Sequence, residues 1–214
     1  MEATSTPARR RYDSPLRRQR AAETRERIVS AGATLVRSFT AWDWKELTFR
    51  AVAQSAGVSE SSVYRHFTNE RELRDAVMQR LGEQAGVTYE GVTLDEVADV
   101  TGLVFAAMSG FAVSSWTQQV DDPTLTSIDQ ARGQALRDAV EAAAPHRSAQ
   151  QRDAAAGILD VLWSPVSFER LVVQWRMDPE QATAVIRWAI GLVVDSVHNA
   201  AVPGTSDITE PGST

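Results

Sequence analysis

Apolar residues recur at helical spacing along most of this chain. Ile28, Ala31, Leu35 and Phe39 follow one another three or four positions apart, which predicts a first helix over about 22–39. A short connection with Trp42 and Trp44 follows. Thr48 opens a second helix, Phe49 to Ala56, because its hydroxyl can accept from a helix-start amide that has no intrahelical partner. Gly57 ends that helix, as glycine does where the chain turns left-handed. Ser59 caps a third helix ending near Phe67, and Asn69 caps a fourth reaching about Leu81, with Leu73, Val77 and Leu81 on one face. Thr93 starts a helix through about Ser114. The Ala-rich run 121–144, with Pro123 near its start and Pro145 after it, reads as another. A long helix over about 150–176 contains Pro165 and is expected to kink there, since proline removes a backbone donor. The last helix has Asp178 as N-cap, Pro179 at the first position and Gln181 completing a capping box, and runs to about Ala200. No strand-like alternation of useful length interrupts this pattern. An all-α chain of about nine helices is predicted, with a flexible Arg-rich arm over 1–22, broken by Pro7 and Pro15, and a disordered tail over 201–214.

Charge changes the picture. The net charge of −6 conceals an asymmetry: residues 1–80 carry 15 Lys and Arg against 10 Asp and Glu, whereas residues 81–214 carry 7 against 18. A basic N-terminal part on an acidic body points to polyanion contact at one end only. There are no cysteines, which excludes disulfides, thiolate chemistry and Cys-based zinc sites. The longest apolar run, Gly102 to Val113, is far shorter than the ~20 residues of a membrane-spanning helix. The first twenty residues lack the apolar stretch of a secretory signal. A cytoplasmic protein without membrane association is expected.

The segment Thr48 to Phe67, TFRAVAQSAGVSESSVYRHF, carries the strongest functional signal. Two short helices cross closely only if certain positions are small or apolar. Val52 faces the core, Ala53 is small where the next helix passes, Gly57 makes the turn, Val58 fills the space beneath it and Val63 anchors the second helix. This spacing is that of a helix-turn-helix, with any αα-hairpin inside a helical bundle as the alternative. At about 100° per residue, Val63 and Phe67 share one side while Ser61 and Arg65 lie opposite, flanked by Ser62 and Tyr64. A short, polar, hydrogen-bonding face with one arginine suits a helix entering the major groove of DNA. Ser59 and the first amides of that helix offer donors to a phosphate.

Gly57-Val58-Ser59 followed by Val63-Tyr64-Arg65-His66-Phe67 resembles the DNA-binding domain of the TetR family of bacterial transcription regulators, from about Thr24 to Leu73. The resemblance implies that Thr48 meets a phosphate and that Arg50 reaches a base. Ser61 and Ser62 would lie over bases, Tyr64 and His66 would grip phosphates, and Arg65 would reach base or backbone. The family often has lysine at the start of the fourth helix. This chain has Glu70 there, so Arg71 is the candidate for that phosphate contact. The resemblance divides the chain into a helix-turn-helix domain over 23–70 and a helical ligand-binding and dimerisation domain over 71–200.

No enzyme is expected. His66, His146 and His198 are far apart, no second ligand stands at metal spacing, and there is neither a Gly-rich phosphate loop nor a nucleophile elbow. Neither cofactor nor metal is implied. Asp121-Asp122 reads as a helix start beside Pro123. In the body, Phe105, Met108, Phe111 and Trp116, then Trp163, Phe168 and Met177, with Met78 on the connecting helix, are candidates to line an apolar effector cavity; ordinary core packing is the alternative for each. The last helix has one apolar stripe through Ala182, Val185, Ile186, Ala189, Ile190, Val193 and Val197, and a second apolar side with Trp188 and Leu192. A helix needs one such side to pack on its own domain, so the second predicts a homodimer, with Leu159, Leu162 and Trp163 of the preceding helix completing a four-helix contact. Three readings stay open. The chain is a repressor released from an inverted-repeat operator by a small apolar effector, or a DNA-binding regulator answering to a protein partner. The third is a helical interaction module with a degenerate helix-turn-helix.

Overall fold

The computed structural model describes residues 15–39, 46–111 and 123–199. Trp42, Trp44, Trp116, Asp121, Asp122, the first fourteen residues and the tail lie outside them. Among the described residues the chain is helical without strands. Its helices are α1 (Pro15–Ser38), α2 (Phe49–Ala56), α3 (Glu60–His66), α4 (Glu70–Ala85), α5 (Val97–Ser109), α6 (Pro123–Ala143), α7 (Ala149–Trp163), α8 (Pro165–Glu169) and α9 (Pro179–His198).

Most helix ends fall where local chemistry places them. Thr48 accepts from the Ala51 amide, Asn69 from Glu72, and Asp178 from Gln181 in a reciprocal capping box. Gly57 and Gly86 close α2 and α4 at φ +65° and +70°. Besides α5, which ends at Ser109 and not near Ser114, two ends differ from expectation. The first helix begins at Pro15, so Arg17, Arg18 and Arg20 belong to a helix and not to a flexible arm. Proline at the first position removes only an amide that would have no acceptor, so Pro15 starts a helix where it was expected to interrupt an arm. The second difference is at Pro165. It does not kink one long helix but separates two: Ser164 is extended (φ −72°, ψ 144°), ends α7 and caps α8. Proline pushes the preceding residue out of helical geometry, and the Ser164 hydroxyl supplies the cap that makes the break stable. A five-residue π-helical turn, Arg170–Gln174, then leads towards α9.

Two apolar cores result. The first gathers Ile28, Val29, Ala33 and Val36 of α1, Val52 and Ala53 of α2, Val63 of α3, and Leu73, Val77 and Leu81 of α4. The N-terminal packing unit therefore runs through α4 and does not stop at residue 70. Gly32 is what lets α1 and α4 approach: a Cβ there would lie 2.6 Å from Val77 Cγ2. The second core joins α5, α6, α7, α8 and α9 around Phe105, Leu136, Leu159, Trp163 and Ile190. Buried Arg132 on α6 bridges Asp129 of its own helix and Asp160 of α7, each at 2.8 Å. Buried Arg147 donates to the Val197 carbonyl at 2.6 Å and so satisfies the C-terminal turn of α9.

Candidate nucleic-acid interface

The turn between α2 and α3 is built by its backbone. Gly57 and Val58 donate to the Gln54 and Ala53 carbonyls at 3.3 and 3.0 Å, closing α2 and aiming α3 across it. Val63 and Phe67 seat α3 on the core and are fully buried, as their spacing requires. Ser61, Tyr64 and Arg65 are exposed, Ser62 and His66 half-buried.

That outer face is organised before any ligand arrives. The Ser59 hydroxyl is within 2.9 Å of the Ser61 hydroxyl and 2.8 Å of that of Ser62, and Arg65 Nη2 donates to Ser62 Oγ at 2.8 Å. Ser59 occupies the N-cap position, yet its hydroxyl serves this side-chain network and not the helix amides. Three hydroxyls and a guanidinium thus form one strip along α3, a set of donors and acceptors that base edges can exchange with.

Tyr64 is 60% exposed, but its ring stands edge-on to buried Phe49, with centroids 4.6 Å apart. The contact holds the ring while leaving the rim of the domain open to the phenol. No local pattern in the sequence announces that support, because it joins α2 to α3. Arg25 is a second residue that sequence reasoning missed. Its guanidinium lies 4.9 Å over the Phe67 ring and packs the middle of α1 against the end of α3. Burial, together with the charges of Arg65 and Arg25, lowers the pKa of His66. In the free protein this favours the neutral imidazole.

The second helix adds Thr48 and Arg50. The Thr48 oxygen accepts from Ala51 at 3.2 Å, so its hydroxyl proton remains available to a phosphate. Arg50 is exposed on the first turn of α2. At the start of α4, Glu70 meets Arg74 at 3.4 Å, while exposed Arg71 meets Asp75 at 3.7 Å. Glu72 accepts from the Thr68 amide, which stabilises its charged form and lowers its pKa. The Thr68–Asn69 turn between α3 and α4 is held by that bond and its converse, Glu72 N–H to Asn69.

The remaining candidates separate in space. Met78, Met108, Phe111 and Trp163 line a cavity of about 930 Å³ between α4, α5 and α6. Phe105 and Phe168 do not: they stack on each other, centroids 4.7 Å apart, inside the second core. Of the dimer candidates, Val185, Trp188 and Leu192 are exposed, and Leu162, Ala189 and Val193 are half-buried. Leu159 is fully buried in its own chain; the outer side of α7 carries Ile158 and Val161. Likewise Val194, not Val185, completes the inward stripe of α9.

Comparison with known proteins agrees with the geometry. Residues 33–77 match the family of bacterial regulatory proteins, tetR family. The fold is similar to the crystal structure of a transcriptional regulator from Rhodococcus sp. Rha1, with a TM-score of 0.55 and 17% identity, over 80% of this chain and 96% of that one. No curated protein matches the sequence. The matched segment spans the last six residues of α1, the helix-turn-helix and the first half of α4, the elements that present the α3 strip. Residues 33–77 are thus similar to the DNA-binding domain of the tetR family of bacterial regulatory proteins, and the rest of the chain shares its fold with a transcriptional regulator.

Proposed function

We propose that the chain is a ligand-responsive repressor that binds an inverted-repeat operator as a homodimer and leaves it when a small, largely apolar effector enters the body. The observation that carries this reading is the cavity. Its volume, about 930 Å³, is that of a small-molecule site, and Met78, Leu81, Val104, Met108 and Phe111 give it an apolar wall. One side is α4, whose Leu73 and Val77 belong to the core beneath the helix-turn-helix. Phe111 and Leu125 line the same cavity and also pack against that core. Thr124 Oγ1, at the start of α6, donates to Asp75 of α4 at 2.7 Å. A molecule that fits the cavity only after α4 shifts binds the two arrangements unequally, which is the condition for moving the equilibrium between them.

Dimerisation draws support from α7 and α9, which pack together and turn Ile158, Val161, Val185, Trp188 and Leu192 to the outside. Trp188 is 66% exposed, a costly placement unless a second copy covers it. A two-fold dimer presents two α3 helices and calls for a two-fold site. In this reading Arg50, Ser61, Ser62 and Arg65 address bases, while Thr48, Ser59, Tyr64, His66 and Arg71 address phosphates.

The test begins with a duplex selected from a random library by the full-length protein. Arg65→Ala is expected to cost about 1–3 kcal/mol on that duplex if the guanidinium reads a base. Tyr64→Phe is expected to weaken selected and random duplexes alike, since a phosphate contact carries no sequence information. Trp188→Asp is expected to give a folded monomer by sedimentation that has lost the selected site. Compounds that raise the melting temperature are then added to the complex. If none of them changes DNA affinity, the effector switch is wrong even though DNA binding stands.

A further inference from the structure

α1 is 24 residues long, but only its second half is packed. Its buried residues are Ile28, Val29, Gly32, Ala33 and Val36, and every residue from Pro15 to Glu23 is exposed. At 1.5 Å per residue, the stretch from Pro15 to Arg25 is about 15 Å long, and its residues up to Glu23 are exposed.

The direction of that overhang follows from helical geometry. Arg25 covers Phe67, the residue that ends α3. Arg18 is seven residues earlier and Ala21 and Ala22 lie four and three before Arg25, so all share the side of the helix that carries Val29, Gly32 and Val36 further along. The stripe that packs on the domain therefore continues past it, and its chemistry changes there from aliphatic to arginine and alanine. Arg17 borders the stripe. Glu26 is turned towards α4, where it pairs with Arg80, and Glu23 and Arg20 are on the outer side.

We propose that the first turns of α1 are a preformed second DNA contact, a basic helix that reaches past α3 and lays Arg17 and Arg18 against the phosphate backbone at the outer edge of each half-site. Two observations choose this occupant. The stripe is positively charged, with only small alanines between its arginines, so a phosphate backbone can approach closely. It is also continuous with the DNA-reading face, because Arg25 and Phe67 join the two. This inference rests on the assignment of α3 as the reading helix. It adds that the overhang is already helical in the free protein, so binding does not have to order it.

The experiment measures affinity for the selected duplex against salt, for the unaltered full-length chain, for R17A/R18A, for R20A and for R65A. Release of counterions makes the log–log slope fall by about 0.9 for each phosphate that the protein no longer neutralises. R17A/R18A is expected to reduce the slope by about 1–2 and to shorten the protected footprint at its two outer ends. R20A, which removes the same charge from the outer side, is expected to leave both unchanged, and helix content by circular dichroism should be equal in both variants. An unchanged slope for R17A/R18A, or an equal loss in R20A, overturns the proposal, while loss of selectivity in R65A shows that the reading of α3 still stands. If the unaltered chain binds no duplex in a salt-dependent way, both fall together.

Discussion

The DNA-reading head, α1 to α4, and the helical body, α5 to α9, draw on similar residues but treat space differently. In the head the helices close so tightly that Gly32 has no room for a methyl group beside Val77. Its charged residues stand at the rim, in pairs such as Glu26–Arg80 and Glu70–Arg74. The body leaves a large, partly open cavity against α4, buries Arg132 and Arg147, and leaves Trp175 and Trp188 about two-thirds exposed. Of the large apolar side chains left exposed among the described residues, only Leu16 and Tyr64 lie in the head. A head that must hold hydroxyls and guanidinium in register gains from rigidity. A body that admits a ligand and a second chain, as proposed above, needs unfilled volume and uncovered surface, and both cost stability.

Arg132 offers the largest effect with which to test that contrast. Asp160 and Asp129 hold its guanidinium, and their hydrogen bonds and charge raise its pKa despite burial. Arg132→Met would leave both carboxylates facing a vacated site and is expected to destabilise the chain by about 3 kcal/mol in urea titration, at the low end for a broken buried pair because both carboxylates are partly solvated. A loss below about 0.5 kcal/mol would mean that the body does not depend on this polar contact.

Next comes a pair of additions. Gly32→Ala is expected to cost about 1–3 kcal/mol, since the new methyl meets the branched end of a fully buried valine that has nowhere to move. Ala107→Leu, which adds more atoms but points into the cavity wall, is expected to change stability by less than about 0.5 kcal/mol. Equal penalties in the two variants would erase the distinction between a filled head and an unfilled body.

The smallest expected effect is on His66. Burial and two neighbouring arginines depress its pKa in the free protein, and a phosphate at the same place would raise it. Binding then takes up protons, so affinity for the selected duplex is expected to rise as pH falls through the histidine range. His66→Gln, which keeps a donor and loses the titration, should flatten that slope. A slope that survives the substitution would assign it to another group.

The sequence by itself determined the helix ends marked by a cap or a glycine, because each of these is a local event. Thr48, Gly57, Asn69 and Asp178 act on amides or dihedrals within a few residues of themselves, so their roles could be read in chain order. It also determined the outer face of α3, since one short helix with a single buried stripe has only one way to turn. Tertiary structure decided what depends on residues distant in the chain. Phe49 supports Tyr64 and Arg25 packs on Phe67 because α1, α2 and α3 meet in space. Phe105 and Phe168 stack in the core while Met108 and Trp163 line the cavity, although all four have the same hydrophobic signature. Leu159 turns inward and Ile158 outward on α7 because α9 lies on one side of it. Periodicity gives a helix its stripes, but which stripe is covered, and by what, is set by the partners that the rest of the chain brings to it.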